Sequence, residues 1–185
     1  MSYRRPGAFL AIPLCACMLA AGGELLARQG PPAAPSREHL LAVARRVMEK
    51  SRFAALVTVD PTGRPQARTM DPLSPDADLV VRMATNPRSR KVEEIEKNPR
   101  VALYYFDPQT SAYVALNGLA RLVSDPQQKK RWWKTEWAEF YPDREGSYLL
   151  IEVRPERLEV VSVADGIDTD PTTWTPAAVE FPAPR

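Results

Sequence analysis

From position 36 to 48 the apolar residues Leu40, Leu41, Val43, Ala44, Val47 and Met48 recur at helical spacing behind Ser36, a good N-cap. The period then shortens. Residues 53–59 form a β-rich apolar run, Asp60-Pro61-Thr62-Gly63 is a turn with Pro and Gly in favoured places, and 65–70 returns as the second arm of a hairpin. A third strand is expected over 79–84. Residues 89–98 read as a helix with Val92 and Ile95 on one face, stopped by Asn98-Pro99. Strands follow at 101–106 and at 113–123, the latter interrupted by Gly118, where a bulge or bend is expected. The pattern predicts an amphipathic helix over 125–140 carrying Trp132, Trp133 and Trp137, then two strands at 148–153 and 157–163. Short turns and few helices make this a mostly β chain with flanking helices, an α+β antiparallel barrel of about six strands rather than a doubly wound sheet. Closing such a barrel would remove its exposed edges.

The ends of the chain add an organisation. Arg4 and Arg5 precede an apolar stretch, and small residues follow at Ala20, Ala21, Gly22 and Gly23. Residues 1–23 are therefore expected to be a secretion signal, and the protein exported, periplasmic or anchored as a lipoprotein. The apolar stretch is short for a membrane span, so contact with a membrane is expected only through an N-terminal anchor. Both cysteines, Cys15 and Cys17, lie in this segment, so no disulfide braces the domain that follows. Leu14-Cys15-Ala16-Cys17 weakly resembles a lipobox. Residues 24–36, richest in Gly, Pro and Ala from 28 on, read as a linker, 37–163 as the folded domain, and 164–185 as an extended tail.

Charge removes one class of partner. The net charge is +2, with 44% hydrophobic and 26% charged residues and no basic stripe, which speaks against nucleic acid. One histidine, His39, and the lack of cysteine beyond residue 17 speak against a structural metal site and against a Ser-His or Cys-His nucleophile.

The candidate chemistry concentrates at 84–101, where a strand ends in Thr85, a turn follows, and a helix opens on Ser89, Arg90 and Lys91. Free amides and the helix dipole attract an anion at that end, and two cations there oppose the dipole unless an anion sits beside them. A solvated basic turn balanced by Glu93, Glu94 and Glu96 is the alternative reading of the same residues.

This stretch resembles the phosphate-binding segment of the pyridoxamine 5'-phosphate oxidase-like split barrels. That family shows Thr-Asn closing a strand, Ser-Arg-Lys opening a helix, and Asn-Pro-Arg-Val entering the next strand, the order found at Thr85-Asn86, Ser89-Arg90-Lys91 and Asn98-Pro99-Arg100-Val101. The similarity runs from about Phe53 to Val161. Tyr113-Val114-Ala115-Leu116-Asn117-Gly118, Phe140-Tyr141-Pro142-Asp143 and Leu149-Leu150-Ile151-Glu152-Val153 carry the pattern of its general stress protein branch. The resemblance implies an antiparallel six-stranded split β-barrel that binds FMN, with FAD or a deazaflavin as lesser alternatives, in a homodimer whose flavin lies between subunits. It implies that Arg68 reaches the flavin phosphate, that Thr69 and Met70 follow the ring edge through their backbone, that Thr85 lies by ring or phosphate, and that Ser89, Arg90 and Lys91 form the phosphate turn.

The departures concern the substrate. Where true pyridoxamine phosphate oxidases carry a lysine after the strand arginine, this chain has Asp71, Pro72 and Leu73, and their flavin-side glutamine is replaced by Tyr113. Oxidation of vitamin B6 is therefore not expected. Two functions stay open: an FMN-dependent oxidoreductase acting on an unknown small molecule, with no assignable catalytic residue, or a flavin carrier, sensor or stress protein without turnover. Glu93, Glu94 and Glu96 are expected on a solvated helix face. The three tryptophans are expected to cover the barrel, build the dimer interface, or form a platform over the flavin.

Overall fold

In the computed structural model the described residues are 34–143 and 146–182. The expected signal and most of the linker lie outside them. Helix α1 (Arg37–Ser51) is capped by Ser36, whose Oγ accepts the His39 amide hydrogen. Then come β1 (Ala54–Val59), β2 (Pro65–Met70), β3 (Val81–Thr85), α2 (Arg90–Lys97), β4 (Arg100–Asp107), β5 (Ala112–Val123), α3 (Pro126–Arg131), β6 (Leu149–Val161) and β7 (Ala177–Glu180). All ladders are antiparallel, in the order β2-β1-β4-β5-β6-β3, with β7 added on β6.

The path is open. The end strands β2 and β3 share no ladder, and the barrel does not close. The loop after β2 leans on β3 through one backbone bond, Leu73 N–H to Arg82 O at 2.8 Å. The inner face of the sheet packs Leu56, Leu103, Val114, Leu116, Leu158 and Val160 against Leu40, Val43, Ala44 and Val47 of α1 in one core. Strand alternation sends the intervening residues to the outer face.

Four elements differ from the sequence pattern. Strand β3 begins at Val81 rather than 79, because the Asp76 carboxylate accepts from the amides of Asp78 and Val80 and Leu79 adopts φ 58°. The helix expected over 125–140 ends at Arg131, and a 3-10 turn covers Thr135–Glu139. Breaking there lets Trp132 lie over the Arg82 guanidinium at 4.1 Å while Trp137 joins Trp133 and Tyr148 in a second apolar cluster. The two strands expected at 148–153 and 157–163 are one, β6, which passes Pro155 at a register shift opposite Gly118. The tail expected to run extended folds back instead: Ile167 is fully buried and β7 pairs with β6. Its hydrophobic residues are few and Pro separates them, so no strand pattern stands out in the sequence.

The bulge expected at Gly118 is present, and it admits no side chain. A Cβ at Gly118 would lie 2.2 Å from the Arg154 carbonyl oxygen. The contact is with backbone, which has little room to yield. Gly118→Ala is expected to cost about 1–3 kcal/mol, toward the upper end, read by urea unfolding. A variant of unchanged stability would mean that the two strands part more readily than this contact allows.

Candidate functional site

The residues singled out in the phosphate turn come together. Thr85, almost fully buried, ends β3, and its Oγ1 lies 3.0 Å from Ser89 Oγ. Ser89 is the N-cap of α2 but makes no side-chain cap hydrogen bond. Its hydroxyl instead faces Thr85 and Lys91. Lys91 Nζ donates to Thr85 Oγ1 at 3.1 Å and to Ser89 Oγ at 3.2 Å. Arg90 donates to Gln66 Oε1 at 3.0 Å, which brings the start of α2 against β2.

Arg68 arrives from β2. Its Nη1 donates to Thr58 Oγ1 at 2.5 Å and to the Gln66 carbonyl at 2.9 Å, and its Nη2 donates to Glu94 Oε2 at 2.7 Å. Glu94 is the residue that the sequence did not single out. Placed on a solvated face by its position in an acidic run, it is fully buried. Its Oε2 also accepts from Thr58 at 2.5 Å. Its Oε1 has no aligned hydrogen-bond donor but lies 2.9 Å from Arg90 Nε. One helical turn separates Arg90 from Glu94, so α2 carries both a cation and the carboxylate that positions it. Burial alone would raise the Glu94 pKa; hydrogen bonds from Thr58 and Arg68 and the charges of Arg68 and Arg90 outweigh it and hold the carboxyl below its ordinary range.

Lys91 shows the reverse. Burial, and then the positive charge of Arg68, push its pKa below the ordinary lysine value. Three cations, Arg68, Arg90 and Lys91, thus share one carboxylate, a surplus of two positive charges. That surplus, the two hydroxyls and the start of α2 fit a phosphate monoester dianion. A depressed lysine pKa means that the unfolded chain binds the proton more tightly than the folded one. The group therefore weakens the fold below its depressed pKa, and the penalty fades as pH rises toward 10.5. Lys91→Met is expected to raise the melting temperature of the flavin-free protein while weakening binding of a phosphate-bearing ligand. A lower melting temperature in the variant would show that Lys91 supports the fold instead.

The remaining two expected residues part company. Met70 points into the core, and Thr69, on the opposite face, is exposed. Since β2 ends the strand order, one edge of its backbone has no strand partner among the described residues. Beyond Met70 the chain reaches Pro72, Leu73 and Ser74, which with Arg52 and Lys134 bound a cleft of about 360 Å³. Asp71 is tied to Lys134 at 2.5 Å.

An open antiparallel sheet of this strand order, with a cation cluster where its third strand meets the following helix, is the fold of a split-barrel protein. The pyridoxamine 5'-phosphate oxidase family model matches residues 40–162, and the chain belongs to that family. No curated protein matches significantly. Among solved structures, General Stress Protein 26 from Bacillus anthracis is similar at 23% identity, covering 77% of this chain and 99% of its own, with TM-score 0.62. A protein from Clostridium acetobutylicum related to general stress protein 26, of the pyridoxinephosphate oxidase family, is similar at 19% identity, covering 80% and 97%, with TM-score 0.66. A pyridoxamine 5'-phosphate oxidase-related, FMN-binding protein from Nostoc punctiforme is similar at 18% identity, covering 83% and 100%, with TM-score 0.56. At these identities the structures establish the fold.

Proposed function

We propose that this domain binds FMN through the Arg68, Thr85, Ser89, Arg90 and Lys91 cluster and acts as an FMN-dependent oxidoreductase on a small molecule other than vitamin B6. The observation that carries the reading is the surplus of two positive charges held around the buried Glu94. Bound there, the flavin supplies hydride or electron transfer, and the protein's part is to hold and orient it. Exclusion of vitamin B6 is supported by the loop after β2: where a substrate-phosphate lysine would stand, Pro72 is buried and Asp71 is committed to Lys134.

The same reading places two copies around the flavin. Its support is the outer face of β1, β4 and β5, where Ala55 pairs with Tyr104 and Tyr104 with Ala115. Tyr104 and Phe106 are more than 40% exposed there, and Tyr104 stacks on Tyr113 at 5.6 Å. Trp137 is buried within its own subunit, and Trp132 and Trp133 are partly buried against the same cluster. The N-terminal signal would deliver the protein outside the cytoplasm.

The purified full chain is expected to show flavin absorbance, to be reduced by NAD(P)H or a related donor, and to pass electrons to a member of a substrate panel. Reduction by dithionite alone, with no donor and no acceptor, would make it a carrier or sensor. On dilution, flavin and monomer should be released together, because a ligand shared by two chains stabilises the dimer by linkage. A sedimenting monomer that keeps all its flavin refutes the shared site, and protein that binds no FMN refutes the function.

A further inference from the structure

A second cation cluster lies on the outer face of the sheet, on β3, β5 and β6, with Arg82 three residues before Thr85 of the phosphate turn. Its centre is Glu152 on β6, almost completely buried. Glu152 is cross-strand partner to Arg82 on β3 and to Arg121 on β5. Arg82 Nε donates to Oε2 at 2.9 Å, Arg121 Nε to Oε1 at 2.8 Å, and Arg154 Nε to Oε1 at 3.3 Å. All three guanidinium groups therefore meet the carboxylate through Nε, the inner corner of the fork. Their terminal nitrogens are left for other work. Arg82 spends one on Asp76 at 2.8 Å, and Arg121 shares one with Gln128 Oε1 at 3.4 Å. Arg82 is held firmly, packed against Trp132, whose ring Arg131 also approaches at 4.9 Å.

One carboxylate needs one arginine. Holding a second and a third, each about half exposed, costs side-chain entropy and sets like charges side by side. Charge across the cluster is unbalanced, with Arg82, Arg121 and Arg154 paired to Glu152 and Asp76, a surplus of one, and Arg131 adds a further cation beside the Trp132 ring. Planar forks held by Nε and open at their ends are the geometry that receives an oxyanion.

We propose that the Glu152-centred arginine cluster is a second anion site, for a small multiply charged oxyanion such as a phosphate or an oligocarboxylate, independent of the phosphate turn at α2. Glu152 acts there as a positioning residue: it fixes the guanidinium groups and stays ionised, since its pairs with Arg121 and Arg82 outweigh the effect of burial on its pKa. Arg121 and Arg154 would be the principal contacts.

Calorimetric titration of the full chain with inorganic phosphate, and separately with citrate, tests this. Wild type is expected to bind two equivalents of phosphate in 0.15 M chloride. Arg121→Gln with Arg154→Gln should remove one of them, and Arg90→Ala with Lys91→Ala the other. If FMN occupies the phosphate turn, the FMN-loaded protein keeps a single equivalent, and that one disappears in the Arg121/Arg154 variant. If FMN does not bind at all, the functional reading fails but the loss of one equivalent in that variant still upholds this site. The ratio of phosphate to citrate affinity tells which oxyanion it favours. Arg121→Lys with Arg154→Lys keeps the charge and loses the forks, and is expected to bind at least about tenfold more weakly. Equal affinity in the lysine variant, or an unchanged stoichiometry in a folded glutamine variant, overturns the proposal. Circular dichroism establishes folding, with Arg82 still pairing Glu152 in both variants.

Discussion

Replacing Arg90 and Lys91 together by alanine is expected to weaken FMN binding by about 2–5 kcal/mol, at roughly 1.5–3 kcal/mol for each charge-assisted contact. That corresponds to about 30- to 5,000-fold in affinity. The two residues should contribute unequally. Arg90 is two-thirds exposed and already paired with Glu94, whereas Lys91 is more enclosed and bonded only to the hydroxyls of Thr85 and Ser89. Screening by water weakens the first more than the second, so Lys91→Ala alone should account for most of the loss. Quenching of flavin fluorescence on binding gives both affinities. A double variant that binds FMN like wild type would move the phosphate elsewhere.

The second large effect belongs to Glu94. Glu94→Gln leaves Arg68 and Arg90 beside a neutral amide in a buried place, and removal of one partner from a buried ion pair costs about 3–5 kcal/mol. Arg90 is largely exposed and Arg68 keeps its bonds to Thr58 and Gln66, so the lower end is expected. The pH dependence has a definite sign. A carboxyl with a depressed folded pKa stabilises the protein fully above its ordinary value of 4.5, and that stabilisation is lost as pH falls through the depressed value. The gap between wild type and Glu94→Gln, measured by urea unfolding, should be full at pH 7 and shrink below about pH 4. A gap independent of pH would show that shape at position 94 matters and charge does not.

Much of this was legible in the sequence for a local reason. The α1 stripe, the hairpin turn at Asp60-Pro61-Thr62-Gly63, the start of α2 and the bulge at Gly118 each depend on residues a few positions apart. Glu94 was not legible. On helical spacing alone it is one of three glutamates in a basic-acidic stretch, and only the arrival of Thr58 and Arg68 from the first hairpin makes that position an interior one. The Trp-rich segment failed for a similar reason. Its apolar periodicity suits a helix, but Arg82 and Tyr148, both remote in sequence, recruit Trp132 and Trp133 more strongly than helix propensity holds them in line. The Glu152 cluster draws on three strands, so the motif containing Glu152 gave no sign of the arginines that meet it.

The close approach of Gly118 to Arg154 gives the sheet a fixed ruler. A strand pair can slip only if every position tolerates its new neighbour, and here one position tolerates nothing beyond hydrogen. Tyr113 and Arg121 stand on the same outer face of β5, eight residues apart, hence about 26 Å at the usual rise of a strand. The glycine locks both to their partners on β6. The aromatic half and the arginine half of that face are therefore two fixed points of one gauge. Whatever settles on the aromatic half meets the guanidinium groups at a set distance, and a substitution at position 118 would disturb that spacing before it touched either end.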